Sequence, residues 1–161
     1  MPAIKKQAIS AYDPRVIEVT GVSMMVTAQG ADHTAGNLPA YKSEGKSVED
    51  LAEASYQVQI NSAVADSLGL CIFGRSVTDE NLQLIADAIN AAHDAGIKPD
   101  DIPAMAREAL RLEHEFNVKA GFTEKDDELP EFFTNEPLQP TNKVSRLRSA
   151  EVNQYMRALV G

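Results

Sequence analysis

The sequence has a single cysteine, Cys71, no tryptophan, and only 6% aromatic residues among its 161 positions. A lone cysteine cannot form an internal disulfide, so nothing in the chain points to an oxidising compartment. A basic stretch followed by an apolar run is also missing at the N-terminus, which argues against a secretory signal. No segment approaches the roughly 20 apolar residues that span a bilayer. These absences predict a cytoplasmic protein without a membrane span.

Basic residues are also scarce, with 15 Lys and Arg against 24 Asp and Glu and a net charge of −9. Nucleic-acid phosphates and anionic membrane surfaces would repel such a chain. We therefore expect neither as a partner. The hydrophobic fraction of 43% and the length suit one domain with its own core.

Apolar residues spaced by three and four predict five helices. Their expected starts are Asp13-Pro14, Ser47, Thr78 or Asp79, Asp100-Asp101, and about residue 150. Gly69 and Gly96 are expected to end the second and third helices. The apolar stripe of the fourth helix is Ile102, Met105, Ala109, Leu112 and Phe116.

Between the helices lie a long Gly- and Pro-containing loop at 29–46 and irregular chain at 121–145. Residues 1–12 have the character of a strand or linker that leads into the domain. The predicted fold is therefore all-α: residues 13–161 form one irregular bundle of about five helices with long functional loops.

Two segments carry candidate chemistry. In Asp66-Ser67-Leu68-Gly69-Leu70-Cys71, a helix end presents a thiol beside backbone amides, with an aspartate one turn earlier. In the loop, His33 stands among small residues, where a ligand can reach it and where it could move a proton. Taken alone, each has a more ordinary explanation: a buried free cysteine and a loop histidine that caps a helix. His93 and His114 are predicted to be solvated surface residues, and no zinc spacing is present.

Several stretches together resemble the tungsten-containing aldehyde:ferredoxin oxidoreductase family. The segment 66–71 is similar to its D-x-x-G-L-C motif, and 116–130 (FNVKAGFTEKDDELP) to its C-terminal signature. Residues 12–15 (YDPR) and 136–138 (EPL) match further short segments. The loop around His33 falls where the family places its active-site histidine. The resemblance covers the chain from about residue 11 to its end.

The resemblance implies a role for each matching residue. Cys71 would be one of four thiolate ligands of a [4Fe–4S] cluster, and Asp66 and Leu70 would contact a pterin of a tungsten or molybdenum bis-pterin cofactor. His33 would orient or protonate an aldehyde or carboxylic acid near the metal. Three basic positions of better-known members are replaced here by Gln29, Ala35 and Ile72. Substrate and cofactor binding are therefore expected to differ from theirs.

The family's other three cluster cysteines form a C-x-x-C-x-x-x-C group in a preceding domain, whereas this chain has no second cysteine. We therefore expect an excised segment or one subunit of a split enzyme, inactive alone and binding neither cofactor by itself. The implied partners are the missing N-terminal and central domains, and ferredoxin as electron acceptor. Self-association into a homo-oligomer is a further possibility.

Two other functions stay open at this point. The chain could be a non-catalytic helical interaction module, which would explain the missing cysteines and basic residues. A thiol enzyme that uses Cys71 with a histidine base is weaker, because it needs a depressed thiol pKa and a nearby base.

Overall fold

The computed structural model describes residues 1–160, and within them the chain is mostly helical. A two-stranded antiparallel hairpin, β1 (Ala3–Ile4) and β2 (Gln7–Ala8), precedes the helices. The α-helices are α1 (Glu18–Val26), α2 (Val48–Ser67), α3 (Arg75–Thr78), α4 (Leu82–His93), α5 (Asp101–Lys119), α6 (Phe132–Asn135) and α7 (Ser149–Val160). Short 3-10 turns occupy Ile72–Gly74 and Glu124–Asp127. Five of the helices exceed two turns, which confirms the predicted all-α bundle.

Helix α2 is the centre of the fold and packs against α1, α5 and α7. It begins as the sequence predicts, with a capping box at Ser47. The Ser47 hydroxyl accepts from the Asp50 backbone N–H at 3.1 Å, and the Asp50 carboxylate accepts from the Ser47 N–H at 2.8 Å. Its inward face, which includes Leu51, Ser55 and Val58, is buried.

The first helix, α1, is buried along nearly its whole length, from Val19 to Met25. It begins at Glu18, so the predicted start at Asp13-Pro14 is wrong. The Asp13 carboxylate is engaged by Arg15, whose backbone N–H and guanidinium donate to it at 2.9 and 2.6 Å. These bonds close a local turn, and the carboxylate is not free to cap a helix.

Two other sequence expectations need correction. Helix α4 begins at Leu82, and neither Thr78 nor Asp79 caps it: Thr78 ends α3, and Asp79 accepts a hydrogen bond from Arg75 at 3.2 Å. On α5, the first predicted stripe residue, Ile102, is buried, but Leu112 and Phe116 are 51% and 71% exposed. The apolar arc of α5 is broader than its contact with α2, so part of that arc faces outward.

The N-terminal hairpin is held on the helices by Lys5. Its ammonium forms a buried ion pair with Asp127 and donates to the Met25 carbonyl at 2.5 Å. Asn153 on α7 donates to the same Asp127 carboxylate at 2.9 Å, so the charges are paired and hydrogen-bonded. Within residues 1–160, no helix is long and apolar enough to cross a membrane.

Candidate functional site

The turn after α2 is fixed by a complete Schellman motif. The Leu70 N–H donates to the Ala65 carbonyl at 2.8 Å, and the Gly69 N–H donates to the Asp66 carbonyl at 3.2 Å. Gly69 has a φ of +64°, the left-handed conformation that this motif requires and that glycine adopts without strain. Leu70 packs against the core as the apolar member of the motif. The helix end therefore has one defined exit direction for the chain.

Cys71 leaves this turn as an exposed free thiol. Its carbonyl accepts from the Gly74 N–H at 2.8 Å, which starts the 3-10 turn Ile72–Gly74. Phe73 next to it is 93% exposed. A sulfur buried in the core could not bind a group together with residues of another polypeptide. The observed position leaves the thiol accessible to groups outside this chain.

The loop that carries His33 lies against α1 and α2 and is anchored by small residues. The Thr20 hydroxyl donates to Asn37 at 3.0 Å and accepts from the Leu38 N–H at 3.1 Å. A Cβ added at Gly36 would lie 2.6 Å from the Ser23 Oγ. The loop backbone can approach α1 this closely only because residue 36 is glycine.

His33 itself stacks on Tyr12, with ring centroids 4.6 Å apart. Its Nδ1 is buried, lies 3.5 Å from an Asp32 carboxylate oxygen, and has no hydrogen-bond partner within the described chain. Burial tends to raise the pKa of Asp32, but hydrogen bonds from the Thr34 N–H and hydroxyl outweigh it and lower that pKa. Asp32 is thus a persistent anion beside the imidazole, an arrangement that suits proton transfer.

A groove of about 560 Å³ joins the two candidate segments. The loop contributes Gln29 and Ala35, and the end of α2 contributes Asp66 and Ser67. Helix α5 forms the opposite wall. Gln29 and Ala35, at positions where the family resemblance implies basic residues, therefore line the same groove as Asp66. His33 and Cys71 do not line it: they flank it in sequence, in the loop and beyond the α2 turn.

Two residues of this groove, Ser62 and Glu113, are not among the site residues that the sequence predicts. The groove walls desolvate the Glu113 carboxyl and the Asp66 charge repels it, and both effects raise the Glu113 pKa. The available signal was an acidic residue inside the apolar arc of α5, between Ala109 and Phe116.

The donor set in this chain fits part of an iron–sulfur and pterin site. Among residues 1–160, no group of three or more His, Cys, Asp or Glu could hold a metal ion. Cys71 could therefore supply one thiolate, and a four-thiolate cluster would need three from elsewhere. The groove offers carboxylates and a buried hydroxyl on Ser62 that lacks a partner, which suits the N–H-rich edge of a heterocycle.

Comparison with known proteins agrees with these features. A family model described as "Aldehyde ferredoxin oxidoreductase, domains 2 & 3" matches residues 1–159. The chain is 31% identical over 147 residues to the tungsten-containing aldehyde ferredoxin oxidoreductase of Pyrococcus horikoshii, covering 84% of this chain and 23% of that protein. The corresponding protein of Pyrococcus furiosus is 29% identical over 162 residues, covering 92% of this chain and 26% of that protein. No solved structure matches significantly.

Proposed function

The chain belongs to the aldehyde ferredoxin oxidoreductase family, and from this premise we propose that it is the C-terminal, cofactor-binding part of an enzyme that oxidises aldehydes to carboxylates. It spans about a quarter of the length of the curated relatives it matches. The observation that carries the proposal is the groove in which the Asp66 helix end meets the loop that bears His33.

In the intact enzyme, a tungsten or molybdenum bis-pterin centre would supply the two-electron oxidation and a [4Fe–4S] cluster the route to ferredoxin. The residues of this chain would hold and orient these groups. Cys71 would provide one thiolate to the cluster, and the Asp66 carboxylate would accept hydrogen bonds from pterin N–H groups. Leu70 would contribute its carbonyl to the pterin contact, since its N–H is already donated to Ala65 and its side chain packs against the core.

His33 would act on the substrate. Its imidazole could donate to a substrate carbonyl or hold a proton, with an Asp32 carboxylate oxygen 3.5 Å from its Nδ1. Gln29 and Ala35, at positions where the family resemblance implies basic residues, would leave the loop side of the groove without positive groups.

The exposed apolar residues support a polypeptide partner that completes the site. Phe73 and Phe116 are 93% and 71% exposed, and Phe116 lines the groove. Apolar surface of this kind is typical of a face that another protein part covers. We propose that the covering part is the polypeptide that carries the family's remaining cluster cysteines, and that the isolated chain is inactive.

Co-expression tests this proposal. The chain is produced with a polypeptide that carries the preceding family domains and a C-x-x-C-x-x-x-C group, and the co-purified complex is analysed for tungsten, molybdenum, iron and pterin. We expect a complex that contains metal and pterin and reduces a viologen dye with an aldehyde. A failure to associate, or a complex without metal, would overturn the split-enzyme proposal, and a metal-free complex would favour the interaction module.

A further inference from the structure

Two carboxyl groups line the groove from different helices. Asp66 lies near the C-terminus of α2, and Glu113 lies on α5. The two are close enough for the Asp66 charge to act on Glu113. Neither has a hydrogen bond or ion pair to a Lys or Arg side chain within the described residues, unlike Glu115, which pairs with Arg111 and Lys119. Both residues are exposed, so water hydrates the two carboxylates in the free chain, and a ligand in the groove could replace that water with its own N–H donors.

Ser62 adds an independent sign of a missing ligand. It lies one turn before Asp66 on α2, lines the same groove, and is only 5% exposed. Its hydroxyl has no hydrogen-bond partner within the described chain. The other buried serine of α2, Ser55, shows the usual situation: it contacts the Ser23 hydroxyl at 2.8 Å and accepts from Gln59 at 2.9 Å. A buried hydroxyl without a partner costs stability, so a bound group that pairs with it would recover that cost.

The outer wall of the groove is apolar. Ala109, Leu112 and Phe116 lie on α5 at helical spacing and all line the groove. An apolar wall next to carboxyl groups is suited to a flat heterocycle, whose face contacts carbon and whose edge carries N–H donors.

We propose that Glu113 and Ser62, together with Asp66, bind the amino-pyrimidinone edge of a pterin in this groove. The inference rests on the proposed function and adds two residues to the site that the family resemblance does not assign. The ring edge carries a ring N–H and an exocyclic amino group, and ionised carboxylates only accept hydrogen bonds. Two carboxylates that line the groove from different helices can therefore take several N–H donors of one ring.

The negative charge of Glu113 should have opposite effects on pterin binding, which it would strengthen, and on the stability of the free chain, which it would lower. Desolvation and repulsion from Asp66 both disfavour its ionised form in the free chain, which raises its pKa. A Glu113→Gln change removes that repulsion, so it should leave the melting temperature unchanged or higher. The same change replaces a charged acceptor with a neutral amide, so it should weaken pterin binding. A purely structural glutamate would not show these opposite effects.

Fluorescence titration with neopterin, a soluble pterin, tests the inference on the full chain. The probe is a single free pterin, whereas the complete bis-pterin metal cofactor is expected to need the other domains as well. We expect the unmodified protein to quench the neopterin fluorescence in a saturable way. In Glu113→Gln the Kd should rise about tenfold, since hydrogen bonds to charged groups are stronger than those to neutral groups. Ser62→Ala should weaken binding by a smaller factor. Glu108→Gln is the matched control, because Glu108 is an exposed glutamate of the same helix that does not line the groove; its Kd should not change.

The outcomes separate this inference from the proposed function. If Asp66→Asn weakens neopterin binding but Glu113→Gln and Ser62→Ala do not, the added residues are wrong while the family role of Asp66 stands. If the unmodified chain shows no saturable binding, the groove does not hold a pterin edge by itself and the inference is overturned. The metal and pterin content of the co-expressed complex judges the proposed function independently of either result.

Discussion

Gly36 offers the sharpest test of how the histidine loop is positioned. In Gly36→Ala, the new Cβ would lie 2.6 Å from the Ser23 Oγ and 3.1 Å from the Gln59 Cγ. Neither neighbour is free to move, because the Ser23 and Gln59 side chains are both bonded to Ser55 in the buried interface of α1 and α2. Overpacking of such a site costs about 1–3 kcal/mol. For a chain of this size, each kcal/mol lowers the melting temperature by about 2–4 °C.

Thermal and urea unfolding, followed by circular dichroism, measure this effect. Gly74→Ala is the matched control, because a Cβ there meets nothing within 4 Å and Gly74 has a φ of −90° that alanine tolerates. The control should change the free energy of unfolding by less than about 0.5 kcal/mol. A Gly36→Ala protein as stable as the Gly74→Ala protein would refute the close approach of the loop to α1.

A double-mutant cycle identifies the contact responsible. Ser23→Ala removes the oxygen at 2.6 Å, while Ser55 keeps its bond from Gln59. The combined Gly36→Ala and Ser23→Ala protein should therefore be more stable than the sum of the single changes predicts, by at least about 0.5 kcal/mol. Strict additivity would mean that Gly36 acts through another neighbour.

Three further changes test separate parts of the structure. Ser47→Ala removes the capping box with Asp50 and should lower the free energy of unfolding by about 1 kcal/mol, measured in urea; no change would mean that α2 does not depend on its cap. Burial raises the pKa of Glu18, but its bonds to Arg146 help lower it below the ordinary value of 4.5. The ionised Glu18 therefore stabilises the fold fully above the ordinary pKa of 4.5, and this stabilisation is lost as the pH falls through the depressed pKa. Glu18→Gln should thus reduce the loss of stability that the protein shows in acid. An unchanged acid profile would contradict the ion pair. The Cys71 thiol should react with a disulfide reagent in the native chain as fast as in urea, since it is exposed; strong protection would contradict its position.

Local chemistry explains which elements could be predicted from the sequence. The start of α2 depends on Ser47 and Asp50, and its end on Gly69, so the interactions that set both boundaries lie within one turn. The start of α1 could not be predicted in the same way. Asp13 has the properties of an N-cap, but Arg15 two residues later binds its carboxylate and holds it in a turn.

Packing between distant segments explains what the sequence left open at the candidate site. The turn at 66–71 and the histidine loop could each be singled out by motif, and their roles in catalysis and cofactor binding stay predictions. The groove exists because α5 packs on α2 beside the loop, and no local pattern reports that contact. Glu113, Ser62 and the outward apolar residues of α5 therefore line the groove because of how α2 and α5 pack, which the sequence around each residue does not indicate.

Iron content of the co-expressed complex, with and without the Cys71 sulfur, tests whether Cys71 supplies one thiolate to a cluster that another polypeptide completes. We expect Cys71→Ala still to associate with the partner polypeptide, because Cys71 is exposed and its removal leaves the core intact. The same complex should lose the [4Fe–4S] iron that the unmodified complex contains, since one of its four thiolates is gone. A Cys71→Ala complex with the full iron content of the unmodified one would show that Cys71 is not a ligand of the cluster.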